Sequence, residues 1–285
     1  MARVLIAGCG YVGSLLGQRL VRLGHEVWAL RRCTRELAPA LRPIEADVTV
    51  AESLRCLPKP LDHLVYCVAP DRGDEAGYRS VYVDGLSNLL GAVVLEPEGR
   101  LLFTSSTAVY EQQDGDWVDE SSPTLPRHFR GKRLLEAENL IWDHRGTGVV
   151  VRFGGIYGPG RARLLDTVAR GEATYTVGGP VYTNRVHRLD CAAILEHLLG
   201  LPRPDPLYIG VDDEPVSRAE LLGWLASMLG APPPTAVAPS TGGQAARGAN
   251  KRCLNRRLHA SGYDFAMPSF RDGYAALIEQ RKASR

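Results

Sequence analysis

The sequence has no long apolar run, and its charges nearly cancel. No stretch approaches the about 18 consecutive apolar residues that a membrane-spanning helix requires. The 34 lysines and arginines stand against 32 aspartates and glutamates, and the basic residues are scattered along the chain. These features argue against nucleic acid or an anionic membrane as a partner. Because the chain begins directly with strand-like sequence rather than with a signal peptide, we expect a cytoplasmic protein.

Closely spaced cysteine pairs are also missing from the sequence. No two of its six cysteines have the two-residue spacing of a zinc knuckle or a redox pair, so we predict reduced thiols and no metal site. Cys9 and Cys67 follow apolar runs, where a cysteine behaves as a small hydrophobic residue. The remaining four are Cys33, Cys56, Cys191 and Cys253.

A glycine cluster follows the first strand-like run of the chain. Residues 3–7, RVLIA, are typical of a parallel strand that is buried on both faces, and GCGYVG follows at 8–13. Gly8, Gly10 and Gly13 satisfy the pattern G-x-G-x-x-G. In this pattern the first glycine permits a tight turn, the second lets a pyrophosphate approach the backbone, and the third lets the helix pack closely on the strand.

The helix after these glycines is predicted to begin at the turn. Leu16, Leu20 and Leu23 recur at helical spacing, and Gly24 is placed to end the helix. The unpaired N–H groups and the dipole at the start of such a helix favour an anion. A strand, glycine turn and amphipathic helix in this order predict a site for a nicotinamide dinucleotide. The predicted diphosphate-binding residues are Gly8, Gly10, Tyr11, Val12 and Gly13.

Two arginines follow the second predicted strand, HEVWAL at 25–30. Arg31 and Arg32 stand about 20 residues after the glycine turn, where an NAD-binding protein usually has an acidic residue for the ribose 2′-hydroxyl. A guanidinium can instead hold a 2′-phosphate through bidentate, charge-assisted hydrogen bonds. The pair therefore favours NADP(H), and NAD(H) is the alternative if both arginines are solvated loop residues.

The rest of the chain alternates strand-like and helix-like segments, which is typical of doubly wound α/β proteins. We predict a Rossmann-type parallel sheet in residues 1–155, with elements returning from 186–212, and a small C-terminal substrate lobe in most of 156–285. Residues 232–250, rich in Pro, Ala and Gly, predict an exposed, mobile loop. Further strands are expected at 44–48, 61–69, 100–106, 148–153 and 206–211, and helices around 82–93, 133–142 and 191–199, with a capping box at Ser217 and Glu220.

Over nearly its whole length the chain resembles the extended short-chain dehydrogenase/reductase superfamily, specifically its nucleoside-diphosphate-sugar epimerase and dehydratase group. The resemblance implies that Asp47 and Val48 lie at the adenine, that Val68 and Ala69 lie beside the cofactor, and that Gly155 belongs to the nicotinamide-side loop. The matching segments are GCGYVG at 8–13, ADV at 46–48, CVA at 67–69, FTSSTAVYE at 103–111, RFGGIYGPG at 152–160 and RVHRLDCA at 185–192.

The resemblance also implies hydride transfer at a carbon that bears oxygen, assisted by a hydroxyl residue, a tyrosine and a lysine. Ser106, or its neighbour Thr107, matches the hydroxyl residue, and Lys132 matches the lysine, which also holds the nicotinamide ribose. Where the family has its proton-transferring tyrosine, four residues before the lysine, this chain has His128. An imidazole titrates near neutral pH and could exchange that proton. His128 could equally be a solvated residue on the first turn of a helix.

Four other residues of these motifs have structural alternatives. Tyr157 either faces the nicotinamide or packs beside its glycine turn. His187 and Asp190 are predicted to be structural, with Asp190 capping the helix that follows. Tyr110 is predicted to belong to the core.

The sequence therefore predicts an NADP(H)-dependent oxidoreductase or epimerase/dehydratase-like enzyme that acts on a small or sugar-like substrate. Ser106, His128 and Lys132 are its candidate catalytic residues. The alternative is a protein that binds NADP(H) or senses redox state without catalysing a reaction, which the missing tyrosine favours. Relatives of this type often pair through a helical face, so a homodimer is compatible with the sequence.

Overall fold

The computed structural model describes residues 1–144, 147–161, 163–238 and 250–283. Its strands, numbered along the chain, are β1 Arg3–Ala7, β2 Glu26–Arg31, β3 Arg42–Glu45, β4 Leu61–Tyr66, β5 Leu95–Ser106, β6 Asp116–Val118, β7 Thr147–Phe153, β8 Gly155–Tyr157, β9 Thr174–Thr176, β10 Tyr182–Thr183, β11 Arg185–His187, β12 Leu207–Gly210, β13 Val216–Ser217, β14 Thr235–Val237 and β15 Lys251–Cys253.

The helices are short to medium in length. Within the described ranges, each is too short or too polar to serve as a transmembrane span. The α-helices are α1 Gly13–Arg22, α2 Glu75–Arg79, α3 Leu86–Ala92, α4 Phe129–Asp143, α5 Arg163–Ala169, α6 Arg188–Gly200, α7 Arg218–Leu229, α8 Arg256–Ala260 and α9 Phe270–Ala283, and a π-helical segment, Ser80–Gly85, joins α2 to α3.

Seven of the described strands form a central sheet in the order β12, β7, β5, β4, β1, β2, β3. β1 pairs in parallel with β2 on one side and with β4 on the other. β3 and β5 extend the two sides, again in parallel. The strand order thus reverses at β1, and doubly wound proteins bind ligands outside the carboxyl ends of the strands at such a reversal. The predicted Rossmann-type α/β fold is confirmed.

β1 and α1 have the burial that their sequence pattern predicts. The side chains of Val4, Leu5 and Ile6 are fully buried, as expected for a strand covered on both faces. α1 buries Leu16 on the face that meets the sheet. Gly24 follows the end of this helix with φ at +83°, a left-handed conformation that glycine adopts without a steric penalty.

The chain forms two compact units. The first unit contains residues 1–109, 126–152 and 192–208, and the second contains residues 110–125, 153–191 and 209–285. Each unit is thus assembled from three separate segments. The sequence predicted a first domain of residues 1–155 with elements returning from 186–212. The segment 110–125, which begins with the last two residues of FTSSTAVYE, belongs to the second unit.

The second unit has an apolar core that involves α7 and α9. Leu221 and Leu225 of α7 are fully buried there, together with Phe270 of α9. Ser217 is the N-cap of α7, because its Oγ accepts a hydrogen bond from the N–H of Glu220 at 3.2 Å, which is the serine half of the predicted capping box. The Glu220 carboxylate pairs with Arg271 at 2.8 Å. The prediction of a continuous loop after Pro232 is wrong at β14, which pairs in parallel with β9. The rest of that predicted loop, at 239–249, lies outside the described residues.

Asp190 is structural, but the prediction that it caps a helix is wrong. It lies inside the first turn of α6 and is fully buried. Its carboxylate accepts hydrogen bonds from the N–H of Ala266 at 2.8 Å, the N–H of Met267 at 3.1 Å and the hydroxyl of Tyr263 at 2.8 Å. The residue therefore fastens the start of α6 to the segment that precedes α9, a role with no signature in the local sequence.

Candidate functional site

The glycine turn between β1 and α1 is packed tightly on one side. Gly8 has φ at +89°, and a Cβ built on it would lie 2.5 Å from the backbone nitrogen of Val68. A Cβ on Gly13 would lie 2.5 Å from the carbonyl oxygen of Gly8 and 3.1 Å from the side chain of Ile6. No side chain can therefore stand at either position without moving backbone. This agrees with the predicted roles of the first and third glycines.

The other side of the turn is open. Gly10 is exposed, and a Cβ built on it would meet no heavy atom within 4 Å. The N–H of Gly10 donates to the carbonyl of Gly8 at 2.7 Å, and the carbonyl of Gly10 accepts from the N–H of Ser14 at 3.1 Å. The open space thus lies directly before the first turn of α1, where helix N–H groups attract an anion. The residues present fit a dinucleotide diphosphate, with Tyr11 and Val12 forming the backbone that leads into the helix.

Arg31 ends β2 beside this turn. The N–H of Gly8 donates to the carbonyl of Leu30 at 2.9 Å, so the end of β2 lies against the glycine turn. Burial raises the pKa of the Cys9 thiol to about 12, and the positive charge of Arg31 opposes that rise. Within the described part of the chain, Arg31 forms no ion pair. Arg32 differs, because its guanidinium pairs with the Asp71 carboxylate at 2.6 Å in an exposed position. Of the two arginines, Arg31 is the one available to a phosphate.

The residues that follow β3 form a turn that is held by hydrogen bonds between its own residues. The Asp47 carboxylate accepts hydrogen bonds from the N–H and the hydroxyl of Thr49, at 2.9 and 2.8 Å. Val48 is buried, and its carbonyl accepts from the side-chain amide of Asn88 at 3.0 Å. Asp47 is half-buried and follows the end of β3, so it lies near the carboxyl end of the sheet. One of its carboxylate oxygens is already engaged by Thr49.

The turn after β4 lies against the glycine turn. The N–H of Cys67 donates to the carbonyl of Ala7 at the end of β1, at 2.7 Å. Val68 is half-buried and Ala69 is exposed. Residues 67–69 and Gly8 therefore lie side by side and form one edge at the carboxyl ends of β1 and β4, where the strand order reverses.

A π-helical turn lies in the helix that follows this edge. The spacing of Tyr82, Leu86, Leu89 and Val93 predicted one long helix, but residues 80–85 are wound more widely. The hydroxyl of Tyr66, at the end of β4, donates to the carbonyl of Val81 at 2.6 Å and so satisfies an acceptor within the wide turn. Wide turns of this kind occur frequently at functional sites.

Ser106 is the last residue of β5. Its half-buried hydroxyl accepts a hydrogen bond from the N–H of Ala108 at 3.2 Å, which holds the 3₁₀ turn Thr107–Val109 against the strand end. Thr107 is buried. Ser106 is therefore the more accessible of the two candidate hydroxyl residues.

His128 and Lys132 lie at the start of α4, and both are exposed. His128 stands just outside the helix as its N-cap, with extended backbone, and its Nδ1 accepts from the N–H of Arg130 at 3.3 Å. The N–H of Lys132 donates to the carbonyl of His128 at 3.3 Å. The imidazole also packs on the ring of Phe129, with centroids 4.3 Å apart. His128 thus has a structural task that the sequence did not reveal.

A buried ionic cluster fixes α4 to the sheet. Glu138 of α4 is fully buried and receives hydrogen bonds from the Arg152 guanidinium, at 3.0 Å from Nε and 2.6 Å from Nη2. The hydroxyl of Ser105 on β5 donates to the same carboxylate at 2.6 Å. Near its N-terminus, the helix approaches the 3₁₀ turn through Gly131, where an added Cβ would lie 2.7 Å from the carbonyl oxygen of Ala108. These contacts bring the segment of His128 and Lys132 next to the segment of Ser106.

The remaining predicted site residues lie in the second unit. Gly155 begins β8 and is exposed. Tyr157 is buried, with its ring stacked on Tyr274 at 4.4 Å and in an edge contact with His187 at 5.2 Å. Tyr110 is buried as predicted, and its hydroxyl donates to a carbonyl in the same unit. Tyr157 therefore has the packing role that the sequence analysis gave as an alternative.

Comparison with known proteins identifies the family of this chain. A family model described as the NAD dependent epimerase/dehydratase family matches residues 4–178. A solved structure from Methylobacillus flagellatus, a candidate NAD-dependent epimerase/dehydratase, is 36% identical, covers 99% of both chains and has a TM-score of 0.82. The 3-diazoavenalumate denitrifying reductase of a Streptomyces species is 28% identical over 95% of this chain and 98% of its own. The human epimerase family protein SDR39U1, solved with NADPH, is 22% identical over 95% of this chain and 97% of its own, with a TM-score of 0.76, and shares the fold. The chain belongs to the NAD-dependent epimerase/dehydratase family.

Proposed function

We propose that this protein is an NADP(H)-dependent oxidoreductase with an atypical active site, acting on a small or sugar-like substrate. The observation that carries the proposal is the glycine turn, which is closed by backbone at Gly8 and Gly13 and open at Gly10 in front of α1. Gly8, Gly10, Tyr11, Val12 and Gly13 would hold the diphosphate. Asp47, Val48, Val68 and Ala69 would line the rest of the cofactor.

The cofactor, when bound, supplies or accepts a hydride at its nicotinamide. The chain would contribute the polar groups around the reacting carbon. Lys132 would hold the nicotinamide ribose, and the Ser106 hydroxyl would donate a hydrogen bond to the substrate oxygen. His128, or a water molecule, would exchange the proton at that oxygen.

Arg31 is the residue that would select NADP(H). We expect Arg31→Ala to weaken NADPH binding by about tenfold or more, because charge-assisted hydrogen bonds to the 2′-phosphate would be lost, and to leave NADH binding nearly unchanged. Fluorescence titration of each nucleotide against the purified protein measures both affinities. Arg35→Ala, an exposed arginine four residues later, is the matched control. Equal losses for NADPH and NADH would contradict the role given to Arg31.

The proton-transfer role of His128 can be separated from its capping role. Asparagine is a good N-cap residue but cannot exchange a proton at neutral pH. We expect His128→Asn to keep the thermal stability of the parent protein and to reduce the rate of NADPH oxidation with a panel of aldehydes, ketones and nucleotide sugars. His128→Ala should lose the rate and part of the stability of α4. Full activity in the asparagine variant would contradict the proton-transfer role of His128 and would indicate that a water molecule exchanges the proton.

A protein that binds NADP(H) without catalysis is the second candidate. The observation that favours it is the capping hydrogen bond of His128, because the ring at the position of the family's tyrosine already has a structural function. NADPH binding with no oxidation by any member of the panel would support this alternative.

A further inference from the structure

The segment that follows β4 reaches back to the end of β2. This segment, residues 67–74, is the β4 strap, and it begins directly after Tyr66. The Asp71 carboxylate of the strap pairs with the Arg32 guanidinium through two contacts, Nη1 to Oδ2 at 2.6 Å and Nη2 to Oδ1 at 3.0 Å. Two parallel contacts of this kind make a bidentate ion pair. Because Arg32 directly follows β2, the pair joins the ends of two strands that are not neighbours in the sheet.

The Arg32–Asp71 pair bridges the carboxyl end of β1. In the central sheet β1 lies between β4 and β2, so the ends of β4 and β2 are two strand spacings apart, about 10 Å. Asp71 stands five residues after Tyr66, a length of chain that spans at most about 17 Å and therefore has the reach to cross this gap. The glycine turn follows β1 at the same edge of the sheet. A dinucleotide bound at that turn would therefore lie against the ion pair.

The residues of the β4 strap beyond Asp71 are held independently of the ion pair. The carbonyl of Gly73 accepts a hydrogen bond from Nη2 of Arg130 at 3.2 Å, and the Asp74 side chain caps α2 by accepting from the N–H of Gly77 at 2.8 Å. The Arg32 and Asp71 side chains, in contrast, are 61% and 66% exposed. An exposed ion pair changes an equilibrium constant by about fivefold at most. Asp71 can therefore leave Arg32 at little cost and without unfolding α2.

Both partners of the pair are charged at neutral pH. The hydrogen bond with Arg32 lowers the pKa of Asp71 below its usual range. The same hydrogen bond is the main cause that raises the pKa of Arg32, and the negative charges of Asp71 and Asp47 raise it further. A phosphate group that approaches this place would therefore be attracted by the Arg32 guanidinium and repelled by the Asp71 carboxylate.

We propose that Asp71 is a specificity-determining residue for the nucleotide, which holds Arg32 until the 2′-phosphate of NADP(H) displaces it. A phosphate monoester carries about two negative charges at neutral pH and matches a guanidinium in the same bidentate geometry as a carboxylate does. NAD(H) presents only a hydroxyl at this place and leaves the ion pair closed. The proposal rests on the proposed NADP(H) binding, and it makes Arg32 a second phosphate ligand beside Arg31.

Asp71→Asn in the full-length chain tests this exchange. Asparagine keeps the size of the side chain but cannot form an ion pair. We expect NADPH to bind about fivefold more tightly, because no ion pair must break and no carboxylate repels the phosphate, whereas NADH affinity should not change. Fluorescence titration measures both nucleotides. Isothermal titration of adenosine 2′,5′-bisphosphate against adenosine 5′-monophosphate measures the contribution of the 2′-phosphate alone.

Two further variants and a control identify the partner of Asp71. Arg32→Gln should weaken NADPH binding by about tenfold, because it removes a charged donor pair. In the double variant with Arg32→Gln and Asp71→Asn, the gain from the asparagine should be smaller than in the parent protein, since no ion pair is left to break. Glu172→Gln removes a carboxylate from an exposed ion pair with Arg170 in the second unit, so it changes the net charge equally and should leave both affinities unchanged.

The possible outcomes separate this proposal from the proposed function. If the parent protein binds NADPH and Asp71→Asn binds it equally or more weakly, the role of Asp71 is overturned and the proposed function stands. An equal gain for NADPH and NADH, or an equal gain with and without Arg32, also overturns the displacement of Asp71 by the 2′-phosphate. If neither the parent nor any variant binds NADPH or adenosine 2′,5′-bisphosphate, the proposed function fails, and the exchange at Arg32 fails with it.

Discussion

Gly10→Glu is expected to abolish NADP(H) binding while the protein stays folded. The position is exposed and a Cβ there meets no heavy atom within 4 Å, so a longer side chain has room in the unliganded protein. That room is the space that the diphosphate needs, and a carboxylate would add a negative charge at the start of α1. Titration of NADPH by fluorescence should show at least a hundredfold loss of affinity, corresponding to about 2.7 kcal/mol or more.

The control for this variant is Gly91→Glu. Gly91 is also exposed, a Cβ on it also meets no heavy atom within 4 Å, and it lies in α3 rather than at the glycine turn. The same substitution there should leave NADPH affinity and thermal stability unchanged. Retained NADPH affinity in Gly10→Glu, with the fold intact, would remove the basis of the proposed function.

Glu138→Ala is expected to have the largest effect on stability. The substitution removes the carboxylate that neutralises Arg152 and accepts the Ser105 hydroxyl in a fully buried position. Breaking a buried ion pair by removing one partner costs about 3–5 kcal/mol, because the other charge stays in a medium of low polarity. Urea denaturation at pH 7, followed by circular dichroism, measures the change in the free energy of unfolding.

Glu172→Ala is the matched control for the buried pair. Glu172 pairs with Arg170 at 2.8 Å, but more than half of each side chain is exposed. An exposed pair of this kind contributes about 0–1 kcal/mol, so this variant should unfold almost as the parent does. Similar losses in the two variants would mean that the buried cluster is not what fastens α4 to the sheet.

The sequence was most informative where structure depends on neighbours along the chain. The run of residues 3–7, the glycine spacing after it, and the Ser217 cap of α7 all formed as predicted. Each depends on side-chain periodicity or on a contact within a few residues, both of which can be read directly. The parallel sheet followed because strands and helices alternate.

The sequence was least informative where distant residues meet. Glu138 read as an ordinary polar residue of a helix, because its partners Ser105 and Arg152 lie 33 and 14 residues away. Asp190 resembled a helix cap in the sequence, whereas its hydrogen-bond partners Tyr263 and Ala266 lie more than 70 residues later in the chain. No local pattern encodes such pairs, so neither the support of α4 nor the anchor of α6 was predicted.

The candidate site also has one part that the sequence predicted and one part that it did not. Its backbone part, the glycine turn, was predictable from spacing alone. Its side-chain part was not, because Arg32 is paired with Asp71 and His128 with the backbone of its own helix. The catalytic assignments of Ser106, His128 and Lys132 therefore stay predictions that the variants above can test.

The wide turn at Ser80–Gly85 also changes what the stretch from α2 to α3 can display. Each residue of an α-helix advances the side-chain direction by about 100°, so one additional residue in a turn rotates everything beyond it by that angle. Tyr78 therefore points its ring toward Phe129 of α4, with centroids 5.6 Å apart, while Leu86 and Leu89 still reach the buried interior. In a regularly wound helix of the same sequence, Tyr78 could not face Phe129 while Leu86 and Leu89 face the interior.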